Sequence, residues 1–116
     1  MNQPPEFYQL GRNQHPEVFA AYESLAAACR SGPLDARAIS LVKLSLSIGA
    51  GLEGAVHSAT RKALEAGCKP EELHHVAILA TTTLGFPAMM RARAWINDVI
   101  ERASSSQPAA QAGPRT

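Results

Sequence analysis

"LSLSIGAGLEGAVHSATRKALEAGCKPEEL", residues 44–73, decides the fold. Leu44, Leu46 and Ile48 close an apolar stretch that begins with Ile39, Leu41 and Val42, and Lys43 is the only charge in its later turns. Apolar residues spread round most of a helix describe an element that is central in its fold or shared between subunits. Asp35 opens that helix as an N-cap, because its short carboxylate can accept from an otherwise unpaired amide of the first turn. Gly49 and Gly51 then break it. The next helix runs from about Leu52 to Ala66, with Gly67 as its C-cap. Another opens at Pro70, with Glu71 and Glu72 at the positive end of its dipole.

Outward from this segment the pattern stays helical. "HPEVFAAYESLAAACRSGP", residues 15–33, starts a helix at Pro16 and ends it at Gly32 and Pro33, with Val18, Tyr22, Leu25, Ala26 and Cys29 in one stripe. The helix from Pro70 carries Leu73, Val76, Ala77, Ile78, Leu79 and Ala80, followed by Thr81–Thr83. "LGFP" interrupts the chain, and Pro87 starts a last helix with Met89, Ala92, Trp95, Ile96, Val99 and Ile100 as its stripe. β-branched residues nowhere form alternating runs. The expectation is an all-α fold of about five main helices, arranged as an N-terminal arm over 1–14, a helical domain over 15–102 and a disordered tail over 103–116.

The 116 residues suffice for one domain, with a formal net charge of +1 from 11 basic and 10 acidic side chains. No basic patch stands out, which argues against nucleic acid as a partner. Hydrophobic residues make up 46% and charged residues 18%. So apolar a short chain implies helix faces covered by a second subunit. No run of about 18 apolar residues exists, so no membrane span is expected. The N-terminus has neither the basic start nor the apolar centre of a signal peptide. With Cys29 and Cys68 far apart in sequence, the simplest setting is a reducing cytoplasm.

The chemistry-bearing residues cluster after the glycine break. Glu53 and His57 are i and i+4 and share a helix face. A carboxylate beside an imidazole fixes its tautomer and raises its basicity, giving an acid–base pair. Arg61 continues that face and suits a carboxylate substrate, with Thr60 assigned to substrate beside it. The other reading is a helix N-terminus with an early glutamate, a polar pair and a solvated arginine. The two readings separate on whether Glu53 and His57 converge in a sheltered cavity. A divalent ion between Glu53, His57 and one of His74 or His75 is a further option, but the spacing is generic and no metal or other cofactor is assigned. Thr81–Thr83 read as bonding back to the previous turn. Met89, Met90 and Trp95 read as core or subunit contact, Cys68 as partly exposed and structural, and Asn97 and Asp98 as a solvated face.

Residues 35–102 resemble the carboxymuconolactone decarboxylase family, which includes the alkylhydroperoxidase D-like proteins. The resemblance rests on the order of "SIGAG", "LEGAVHSATRKALEAG" and "CKPEELHHVAILATTTLGFPAMM", and most of all on "ALEAG" followed by "PEEL". It implies an all-α fold, a helical hairpin carrying the active site, and homo-oligomers, often trimers or hexamers. The redox branch of that family carries Cys-x-x-Cys where this chain has Leu52 and Ala55, a histidine at Ala59, and a relay glutamate at Ser40. Decarboxylase-type members lack the cysteines and keep the histidine at Ala59. Here the nearest histidine is His57, roughly 200° round the helix. The resemblance implies the decarboxylase-like group; joined to the residues' own reading it gives the leading expectation, a small cytoplasmic lyase in which Glu53 and His57 move a proton on a small carbonyl, lactone or carboxylate compound. The alternatives are a non-catalytic ligand-binding or oligomeric scaffold, and a peroxiredoxin-type antioxidant activity as in the redox branch.

Overall fold

A computed structural model describes residues 6–105. Among them seven helices and no strand occur: α1 (Glu6–Gln14), α2 (Pro16–Arg30), α3 (Ala36–Ala50), α4 (Glu53–Glu65), α5 (Pro70–Leu79), α6 (Thr81–Leu84) and α7 (Phe86–Ser105). The all-α expectation holds, and the five main helices are α2, α3, α4, α5 and α7. Two elements differ from the sequence reading. The arm is helical from Glu6, and the Pro70 helix stops at Leu79, with Thr81–Leu84 forming a turn of its own. Residues 103–105 belong to α7, and the remainder of the expected tail lies outside the described residues.

The chain divides into two compact units, the first reaching Pro33 and the second starting at Leu34. In the first, α1 packs on α2 through Tyr8, whose ring meets Phe19 edge-on at a centroid distance of 5.0 Å. Gly11 permits that approach, since a Cβ there would sit 2.6 Å from Phe19 Cζ. The Tyr8 hydroxyl donates to Glu23 at 2.8 Å, and Arg12 lies 3.6 Å from the same carboxylate. Within the α2 stripe, Val18, Tyr22 and Leu25 stay exposed.

In the second unit α3 packs on α4 and α5, and α7 packs on α4 and α5. The core is Leu44 and Ile48 of α3, Val56 and Ala63 of α4, Cys68 between α4 and α5, Leu73 and Ala77 of α5, and Ala92 and Ile96 of α7. Cys68 is therefore buried, which corrects the expectation of partial exposure. It follows Gly67 directly, so the chain turns back into the core there. Helix ends match the local chemistry. The Asp35 carboxylate accepts from the Ala38 amide at 2.8 Å. Gly51 closes α3 in the left-handed region (φ 71°), where a residue with a Cβ is strained. At the end of α4, the Cys68 amide donates to Ala63 O and the Gly67 amide to Leu64 O, a Schellman closure with Gly67 at φ 92°.

One guanidinium joins three helix ends. Arg37 at the start of α3 donates to Gly67 O at 3.0 Å and to both carboxylate oxygens of Glu72 at 3.2 and 2.7 Å. Glu72 also accepts from the Lys69 amide at 2.8 Å. The Arg37 hydrogen bonds, and after them the Lys69 amide, pull the Glu72 carboxyl down to about 2.

α3 is apolar on both sides. Leu44 and Ile48 are buried, while Leu46 is 66% exposed and Val42 is also open to solvent. Between α3, α5 and α6 runs an open groove of about 800 Å³, lined by Val42, Leu46, Val76, Leu79 and Leu84, with Glu72 and His75 among its few polar groups. No described helix is long and apolar enough to cross a membrane.

Two expectations follow. Leu44→Ala removes a fully buried side chain and lowers the unfolding free energy by about 2–5 kcal/mol, whereas Leu46→Ala changes it by roughly 0.5 kcal/mol or less within one chain. Denaturant titration of the two variants checks this, and equal losses would contradict the assigned core. The second concerns pH. The folded Glu72 carboxyl titrates below its unfolded value of 4.5, so its stabilising contribution is complete above that pH and is lost as pH falls toward about 2. In thermal melts, Glu72→Gln flattens part of the acid fall in Tm, and parallel curves for variant and parent would refute the assignment.

Candidate functional site

The left-handed turn at Gly51 and the extended Leu52 aim the first turn of α4 along α7. Val56, Thr60 and Ala63 are the buried positions of α4, and they set its rotation. Glu53 and His57 then fall on one neighbouring stripe, facing the middle of α7. There His57 Nε2 lies 3.2 Å from Asp98 Oδ2 and 3.9 Å from Glu53 Oε2. The Asp98 contact has hydrogen-bond geometry. All three ligand atoms lie within 4.8 Å of one another. The His57 side chain is 17% exposed, against 59% for Glu53 and 48% for Asp98.

The expected pair thus converges, but in an open niche and not in a sheltered cavity. The apolar groove between α3, α5 and α6 includes none of the three residues. Asp98, read from sequence as part of a solvated face, proves to be the nearer partner of His57. The sequence holds one signal for it: Arg91, Trp95 and Asp98 are i, i+4 and i+7 and so share a face of α7. Arg91 stacks over Trp95 at 5.5 Å. Its guanidinium also comes to 3.9 Å from where a Cβ on Gly51 would sit, so this face of α7 follows the α3–α4 turn.

The remaining sequence candidates fall in different places. Thr60 is fully buried, and its hydroxyl donates to Val56 O at 2.7 Å, so it completes the helix interior and stands apart from the polar niche. Among the described residues such back-bonding is made by Thr60, Ser45, Ser47 and Ser105, and not by Thr81–Thr83, where it was expected. Arg61 is half-buried and forms no ion pair among the described residues. His74 and His75 separate as neighbours on a helix must. His75 is exposed and lines the groove. His74 turns inward, with Nδ1 buried and unpartnered, and burial together with Arg93 holds its pKa below the ordinary imidazole value. Neither joins the Glu53–His57–Asp98 trio. Both cysteines are free thiols, Cys29 exposed and Cys68 buried.

Electrostatics decide what the trio can do. Both carboxylates face the same nitrogen of His57. A carboxylate oxygen can only accept, so the hydrogen bond to Asp98 is made by the tautomer that carries its proton on Nε2, with Nε2 as donor. Leu52, Ala55, Ala59 and Ser40 provide no thiol, imidazole or carboxylate beside it.

No curated protein and no solved structure matches the chain. A family model described as the carboxymuconolactone decarboxylase family matches residues 16–98, which takes in Glu53, His57 and Asp98 and most of the sequence, and the chain therefore belongs to that family.

Proposed function

We propose that the protein is a decarboxylase-like lyase that moves a proton on a small carbonyl, lactone or carboxylate compound, with His57 as the proton carrier. The observation that supports this most is the convergence of Glu53 and Asp98 on His57 Nε2, whereas the open setting of the niche favours the other reading, a polar pair on a solvated helix face. An imidazole whose Nε2 is held beside two carboxylates is a proton-carrying group fixed at one point. The more exposed Glu53 carboxylate, 3.9 Å away, is a base within reach of the same substrate. When the C–C bond to a substrate carboxylate breaks and CO2 leaves, the electron pair passes into an enolate beside the carbonyl, His57 delivers its proton to the carbon that lost CO2, and Glu53 relays a proton from water back to the imidazole. Arg61, half-buried and without an ion pair among the described residues, is the anion holder four residues further along α4. The setting in this reading is the cytoplasm.

Thiol-based peroxide reduction has no support. It needs an attacking thiolate and a second thiol to resolve the product, yet neither half of a Cys-x-x-Cys occurs after Gly51, and Cys68 is buried. The reading that competes is a non-catalytic scaffold. It is favoured by the apolar groove, whose exposed Val42, Leu46, Leu79 and Leu84 suit the face of a second copy. Assembly as a homo-oligomer, trimer or hexamer by family resemblance, is part of both readings.

His57→Ala and Glu53→Gln should each reduce turnover of a responsive lactone or 2-oxo acid by at least about a hundredfold, as removal of a general acid or base does, while melting temperature and molecular mass stay as in the parent. Full activity in both variants would end the proton-transfer reading. In light scattering, the parent should run at a multiple of 12.3 kDa and Leu46→Glu at a lower mass. A parent monomer at micromolar concentration would remove the shared groove from the account.

A further inference from the structure

The trio carries an unusual charge balance. Two carboxylates converge on one imidazole nitrogen, and among the described residues neither has a lysine or arginine within ion-pair distance. With His57 protonated the group still holds one net negative charge. With His57 neutral it holds two, and a dication would bring it to zero. From this we infer that Glu53, His57 and Asp98 form a binding site for a divalent transition-metal ion, which takes the place of the proton on Nε2.

The donor geometry fits. Metal–ligand bonds of about 2.1 Å set donor atoms roughly 3 to 3.5 Å apart round one ion. Nε2 and Oδ2 of Asp98 already stand at 3.2 Å, and Oε2 of Glu53 stands at 3.9 Å from Nε2. The three donor atoms lie within 4.8 Å of one another, and Glu53, the first residue of α4, is largely exposed, so its side chain is the adjustable member of the set. His57 and Asp98 come from helices packed on each other, and they form the fixed part of the site. The donor set of one imidazole and two carboxylates selects the ion class. An imidazole suits zinc, copper, nickel or iron(II), whereas magnesium favours oxygen alone and gives up its water reluctantly. Three protein donors leave coordination positions open toward solvent, as the exposure of the two carboxylates requires.

The site shares its residues with the proton-transfer reading but is tested by binding, so either can fail without the other. The full chain, prepared without a histidine tag and stripped with a chelator, is titrated with zinc chloride by calorimetry in a non-coordinating buffer, then with magnesium chloride. Expected are one zinc ion per chain, at least tenfold weaker magnesium binding, and a loss of zinc affinity of at least tenfold in both Asp98→Asn and His57→Ala. Asp98→Asn is a conservative surface change, and its unchanged melting curve without metal confirms that the variant is folded. Absence of stoichiometric zinc binding would overturn the inference. So would equal affinity in Asp98→Asn and the parent, because the ion would then sit elsewhere, His74 and His75 included.

Discussion

The rotational setting of α4 is the constraint on which the rest depends. Val56, Thr60 and Ala63 are sealed against α3 and α7, and their spacing leaves one orientation of the helix. Thr60 is tolerated at the centre of that stripe only because its hydroxyl is returned to the helix's own backbone, where it needs no outside partner. Once the stripe is fixed, Glu53 and His57 have no choice of direction. They must face α7, and the residue of α7 that stands opposite is Asp98. The polar niche is thus a by-product of apolar packing, and a rotation of α4 by one residue would scatter it.

Helix boundaries were legible wherever one residue type performs one local task. Asp35, Pro16, Pro70, Gly51 and Gly67 each punctuate the chain as their chemistry requires, and the core stripe of α7 follows from periodicity, whereas Thr60, assigned to substrate from sequence, belongs to the buried stripe of α4. What was hidden lay at longer range. Asp98 is 41 residues from His57, and its one local signal, the face it shares with Arg91 and Trp95, does not point to His57 as its partner. The helix over Glu6–Gln14 was also hidden. A short stretch holding a glycine and little apolar area gives a weak periodic signal, and its order comes from Tyr8, Gly11 and Phe19 meeting within the first unit. The α5–α6 break was masked because Ala80 and the threonines after it carry none of the usual stop signals. The burial of Cys68 depends on the chain folding back after Gly67, which a reading of exposure by proximity to a turn does not anticipate.

Family membership and local chemistry give different kinds of information here. The match over residues 16–98 explains the succession of helices. The positions that carry reactive groups in the redox branch are apolar or small in this chain, and the polar groups present are displaced from them round the helix. The niche at His57 is better read from its own charges than from the family's name.

The clasp made by Arg37 has a consequence for how the fold comes together. Its guanidinium reaches partners 30 and 35 positions later in the chain, one in the α4–α5 elbow and one in the first turn of α5. Neither α3 nor α5 can form that contact alone, and a hairpin of α3 with α4 supplies only half of it. The contact is therefore a signature of three segments in register at once. A spectroscopic or exchange probe placed at this corner would report the moment of assembly, while probes within single helices would report only coiling.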